Sequence, residues 1–113
     1  MNTTAVGRAA EDTAIQYLQD HDYHVVAKNW RTRWCEIDIV AIKNEVTYFV
    51  EVKYRKATSW GNGLDYITSR KLQQMEFAAQ FWAASHKIGD YRLSAIELTG
   101  EPARVTQFLQ SID

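Results

Sequence analysis

Asp38, Glu51 and Lys53 stand within IDIVAIKNEVTYFVEVKYR, residues 37 to 55, where most neighbours are apolar. Carboxylates brought close together repel, so one has its pKa raised or they share a cation. Lys53 brings one positive charge. A hard divalent ion such as Mg²⁺ would bring the remainder, taking oxygen ligands from Asp38 and Glu51 and keeping several waters. Such a group suits phosphodiester hydrolysis, in which a metal neutralises the phosphate and activates water while a lysine orients the nucleophile or stabilises developing charge. An ordinary solvated strand face also alternates acids with lysine, and residue types alone leave both readings open.

Strand parity tests them, because alternate side chains point to opposite faces and residues paired across a hairpin share a face. Strands are expected over about 35 to 42 and 46 to 54, joined by a tight turn around Lys43, Asn44 and Glu45. With Asn44 and Glu45 as the turn, Lys43 pairs with Val46, Asp38 lies opposite Glu51, and Glu36 lies opposite Lys53. With Lys43 and Asn44 as the turn, Asp38 and Glu51 become diagonal neighbours on one face. A three-residue loop would put them on opposite faces. On the two-residue reading one face carries Ile37, Ile39, Ala41, Tyr48, Val50 and Val52, suited to packing under a helix. The other is apolar at the turn end (Val40, Ile42, Phe49) and charged at the far end (Glu36, Asp38, Glu51, Lys53).

The flanking elements follow from periodicity. Ala10, Ala14, Tyr17 and Leu18 recur at helical spacing within residues 5 to 20, with Glu11 at the edge of their stripe. YHVVAK, residues 23 to 28, reads as a short strand, and NWRTRW after it as a connection. KATSWGNG, residues 56 to 63, reads as a mobile loop. Leu72, Met75, Ala78, Ala79 and Trp82 define a second helix over about 66 to 86, with Thr68 or Ser69 as N-cap. Tyr91 to Leu98 reads as a strand, with or without a last short strand near Arg104.

Length and composition bound the function. A chain of 113 residues with 46% hydrophobic content and 24% charge fits one domain, residues 1 to 113. Cys35 is the only cysteine, no apolar signal segment opens the chain, and no run of about 18 apolar residues exists to span a bilayer. A cytosolic protein without membrane partners is therefore expected. The net charge of −1 lacks the basicity of a typical nucleic-acid-binding domain, yet Lys28, Arg31 and Arg33, then Lys53, Arg55 and Lys56, then Arg70 and Lys71 form local basic groups.

Ile37-Asp38, twelve residues, then Glu51-Val52-Lys53 resembles the PD-(D/E)XK nuclease signature, with Ile37 where its loosely kept proline would stand. Together with Gly7, Glu11, Ala14 and Leu18, then CEIDIVA, FVEVKYR, Lys71 and YRLSAIEL, the pattern resembles the YraN-like family of small bacterial proteins, related to archaeal Holliday junction resolvases. That resemblance implies an α/β, restriction-endonuclease-like fold: a central mixed sheet flanked by helices in the order α-β-β-β-α-β. It implies a Mg²⁺- or Mn²⁺-dependent endonuclease acting on DNA, branched or Holliday-junction DNA included, and a homodimer. Asp38, Glu51 and the Val52 carbonyl would be metal ligands, Lys53 the catalytic lysine, and Glu11 a further acid at the site. Cys35 and Ser94 depart from the family's usual glycine and acid.

Arg31, Arg33, Arg55 and Lys71 are candidates for gripping phosphate, and Trp30 and Trp34 for either stacking or packing. His21, His24 and His86 lack zinc-site spacing and, with Cys35, read as structural. No phosphate loop or nucleophile elbow appears, which sets aside an NTPase or serine hydrolase. An adaptor that keeps the nuclease fold without cutting is the alternative function, and RNA is an alternative substrate.

Overall fold

A computed structural model describes residues 3–56 and 67–113. All of the KATSWGNG segment except Lys56 lies outside the described residues. The order is α1 (Thr3–Asp20), β1 (His24–Arg31), β2 (Glu36–Lys43), β3 (Val46–Arg55), α2 (Ser69–His86), β4 (Tyr91–Thr99) and β5 (Arg104–Leu109). This is an α/β fold with the mixed sheet and flanking helices expected of a restriction-endonuclease-like chain. The strands lie in sequence order, β1 to β5. Among the described strands only β3 and β4 run parallel, and α2 makes the crossover that a parallel pair requires.

The sheet is buried on both faces. Ala10, Ala14 and Leu18 of α1, all at most 1% exposed, pack on Ile39, Ala41, Val50, Ile96 and Leu98. Met75, Ala78, Ala79 and Trp82 of α2 pack on Val40, Phe49, Leu93 and Ile37. Thr68 caps α2, its hydroxyl accepting from the Lys71 N–H at 3.0 Å. No helix among the described residues is long and apolar enough to cross a membrane.

Two details differ from the sequence expectation. Asn29, Trp30 and Arg31 belong to β1 and not to a connection. Trp30 has α2 to pack against, meeting the Trp82 ring edge-on at 5.0 Å, and that partner keeps the strand going. Ile37 packs with the α2 cluster, although Ile39, two residues on, packs with the α1 cluster. Alternation is therefore broken between them. The β1 ladder pairs Lys28 with Ile39 and Trp30 with Ile37, so the break in β2 faces Asn29, which has φ of 52°. A left-handed residue interrupts the pleat of β1, and asparagine tolerates it better than most side chains.

Candidate active site

The β2–β3 turn decides what meets at its open end. Asn44 and Glu45 both have positive φ, 51° and 67°, as a tight two-residue hairpin turn requires. Lys43 pairs with Val46, and the register runs on to Ile39 against Val50. One step further brings Asp38 against Glu51, as the Asn44–Glu45 turn predicts. Regular ladder pairing stops there, and the Asp38 carboxylate accepts a hydrogen bond from the Val52 N–H at 2.7 Å. That contact fixes the Asp38 side chain across the gap where the strands part.

Electrostatics follow from this placement. Burial, then the neighbouring Glu51 charge, push Asp38 up to about 7, with Glu11 and Glu36 adding to the rise and the Val52 N–H opposing it. Glu11 reaches the cluster from α1. Its own carboxyl is raised by burial, against a hydrogen bond with Asn29 that lowers it. Lys71, from the first turn of α2, places Nζ 3.0 Å from Glu51 Oε2, and both side chains are largely buried. Burial lowers the Lys71 pKa, but the Glu51 charge outweighs it and leaves the ammonium above its ordinary value. The Cys35 thiol, raised by burial, feels Lys71, Glu51 and Asp38 and so borders the same cluster.

Asp38, Glu51, Val52 and Glu11 are thus brought together, with Lys71 joining them. Lys53 follows Glu51 by two on β3, which gives it the same face by alternation, and it stands opposite Glu97 in the β3–β4 register. Arg55 is engaged by Glu97 at 3.1 Å, with 22% of its side chain exposed. Arg31 is open to solvent and lies 3.7 Å from Glu36, and Arg33 sits over the Trp34 ring at 5.6 Å.

Among the described residues no three His, Cys, Asp or Glu side chains gather as a metal-holding group. Two partly buried, mutually repelling carboxylates nevertheless fit a hard cation that keeps most of its waters, because Mg²⁺ needs only one or two protein carboxylates. Asp38 and Glu51 have the donor chemistry for that role.

Ser94, His21 and His86 make internal contacts. Ser94 is fully buried and donates to the Gln110 carbonyl at 2.6 Å, tying β4 to the C-terminal segment. His21 stacks on Tyr17 at 4.1 Å, and His86 lies flat on Trp82 at 3.8 Å. Sequence reasoning missed Asn29, whose neighbours give no hint of the positive φ. It also missed Phe77 and Phe81, although their i, i+4 spacing falls off the Met75–Ala79–Trp82 stripe and so marks an outward face.

The profile of the family described as "Uncharacterised protein family UPF0102" matches residues 10–98, in agreement with the YraN-like resemblance. A UPF0102 protein of Fusobacterium nucleatum subsp. nucleatum is 36% identical over 93 residues, which cover 82% of this chain and 78% of that protein. One from Pseudomonas fluorescens Pf0-1 is 42% identical over 76 residues, covering 67% of this chain and 63% of the relative. Another, from Sulfurihydrogenibium sp. YO3AOP1, is 37% identical over 102 residues, covering 88% and 89%.

Proposed function

We propose that this chain, which belongs to the uncharacterised protein family UPF0102, is a metal-dependent endonuclease that hydrolyses phosphodiester bonds in DNA. The observation that carries this is the meeting of Asp38 and Glu51 at the open end of the β2–β3 hairpin, where the Val52 N–H anchors Asp38 and burial, then the Glu51 charge, raise its pKa. Asp38, Glu51 and the Val52 carbonyl would hold Mg²⁺ or Mn²⁺, which when bound neutralises phosphate charge and makes a water acidic enough to attack.

The chain's own residues supply the rest. The Val52 N–H holds Asp38 in one orientation, and Lys71 holds the Glu51 carboxylate. Lys53, on the face of Glu51, stabilises charge on the phosphate, and Glu11 adds negative charge from the α1 side. Arg31 and Arg33 reach phosphates farther along the backbone. Branched or junction DNA is the substrate, and two copies acting together would cut both strands of such a symmetric target.

One contact favours the adaptor as second reading: Lys71 already neutralises Glu51, so one acid of the pair is compensated by the protein itself. Cleavage of linear, single-stranded and four-way-junction DNA, with and without Mn²⁺ or Mg²⁺, decides between them, with RNA as a fourth substrate. Metal-dependent cutting of junction DNA is expected in the wild type and lost in Glu51→Gln and Lys53→Ala, with binding retained. Equal trace cleavage in all three proteins would leave the adaptor.

A further inference from the structure

The outward face of α2 carries aromatic rings that the core does not use. Phe77 is 40% exposed and Phe81 is 56% exposed, whereas Met75, Ala78, Ala79 and Trp82 on the same helix are buried beneath them. Phe77 lies 6.0 Å from the Trp34 ring, and Phe81 lies 5.8 Å from Trp34 and 6.4 Å from Trp30. These rings make one continuous surface, and exposed apolar surface of this kind marks a contact site. Its edge carries a cation: the Arg33 guanidinium lies over the Trp34 ring at 5.6 Å.

We infer that Phe77, Phe81 and Trp34, edged by Arg33, form a stacking platform for unpaired bases of a single-stranded DNA segment beside the acidic cluster. This deepens the endonuclease reading by naming a structural element of the substrate. Aromatic rings accept the flat face of any base, and that face is available only where bases are not already stacked in a duplex. The guanidinium at the edge matches the phosphates that accompany such bases. Lys71 at the acids and Phe77 and Phe81 on the platform share one helix, so the rings lie about 9 and 15 Å along its axis from the cluster. A strand reaching the cluster therefore crosses the platform within a few nucleotides. A second copy is a poorer occupant, because a two-fold contact centred on this patch would bring Arg33 toward its own counterpart.

The test uses the full chain in EDTA, where cleavage plays no part, with fluorescent oligothymidylate and a blunt duplex of equal length as probes. In Phe77→Ala/Phe81→Ala, whose exposed positions leave the core intact, affinity for oligothymidylate should fall about tenfold or more, as loss of stacking on two rings implies. Duplex affinity should stay unchanged. Arg33→Ala should weaken both probes and flatten their salt dependence. Wild-type affinity in the double phenylalanine variant, or no binding of oligothymidylate by the wild type, would overturn the platform. So would a wild-type dimer in sedimentation that becomes a monomer in the phenylalanine variant without losing oligothymidylate affinity. Loss of binding in that variant, from a protein that cuts nothing, would keep the platform and remove the endonuclease.

Discussion

The two ends of the β2–β3 hairpin follow one register and meet opposite fates. At the turn end Val40, Ala41 and Phe49 are fully buried between α1 and α2, and pairing is regular from Lys43–Val46 to Ile39–Val50. At the open end the ladder stops, the alternation of β2 breaks at Asp38, and carboxylates gather that repel one another. The apolar end stabilises a geometry that the charged end would not adopt by itself. Stability and chemistry thus reside in one hairpin, separated along its length.

Breaking the apolar end should have the largest effect. Phe49 is fully buried and meets Trp82 and Tyr91 edge-on at 6.2 and 5.9 Å. Phe49→Ala should cost about 4 kcal/mol, the usual penalty for a large cavity in a packed core. Urea denaturation measures it, and a loss under about 1 kcal/mol would show that the core collapses around the gap.

At the charged end the same kind of measurement should vary with pH. The Asp38 carboxyl titrates at about 7 in the fold against an ordinary value of 3.8, so the folded state binds its proton more tightly than the unfolded chain does. Its stabilising contribution is complete below 3.8 and is lost as pH rises through 7. Between pH 8 and pH 5.5 the metal-free protein should gain about 2 kcal/mol relative to Asp38→Asn, at 1.36 kcal/mol per unit of proton linkage. Parallel pH profiles for the two proteins would place the proton elsewhere.

Lys71 sharpens the contrast by a smaller amount. Its ammonium lies 3.0 Å from Glu51 and repels any incoming cation. In Lys71→Met, Mn²⁺ affinity by calorimetric titration should rise on the order of tenfold, as removal of one nearby positive charge implies. Unchanged affinity would mean that Mn²⁺ binds away from Glu51.

The smallest change concerns the turn. Glu45 holds φ of 67°, a region that glycine enters freely. Glu45→Gly should raise stability by about 0.5 kcal/mol, the relief of backbone strain less the entropy glycine loses on folding. A drop in thermal midpoint would show that glycine's entropy outweighs the strain.

Much of this hairpin is legible in the sequence. Asn44 between β-branched and aromatic runs announces the turn, and period-two alternation puts Asp38 and Glu51 on one face for either two-residue turn, while the Asn44–Glu45 backbone decides that they meet directly. The helical stripes through Ala10, Ala14 and Leu18 and through Met75, Ala79 and Trp82 are equally plain. Trp30 was not, because a residue reads as strand or loop according to what lies across from it, and its partner Trp82 is on a distant helix. Ile37 changed sides because the break opposite Asn29 overrides a local period that assumes an unbroken pleat.

The sequence by itself determined the order of elements, the apolar stripes and the identity of the acids, since these depend on residue type and spacing along the chain. Tertiary structure decided that Lys71 meets Glu51, that Arg55 is engaged by Glu97, and that Phe77 and Phe81 face water beside Trp34. The physical reason is that a charge or a ring acquires its role from neighbours in space. Those neighbours come from α2 and β4, which the parallel crossover brings beside β3.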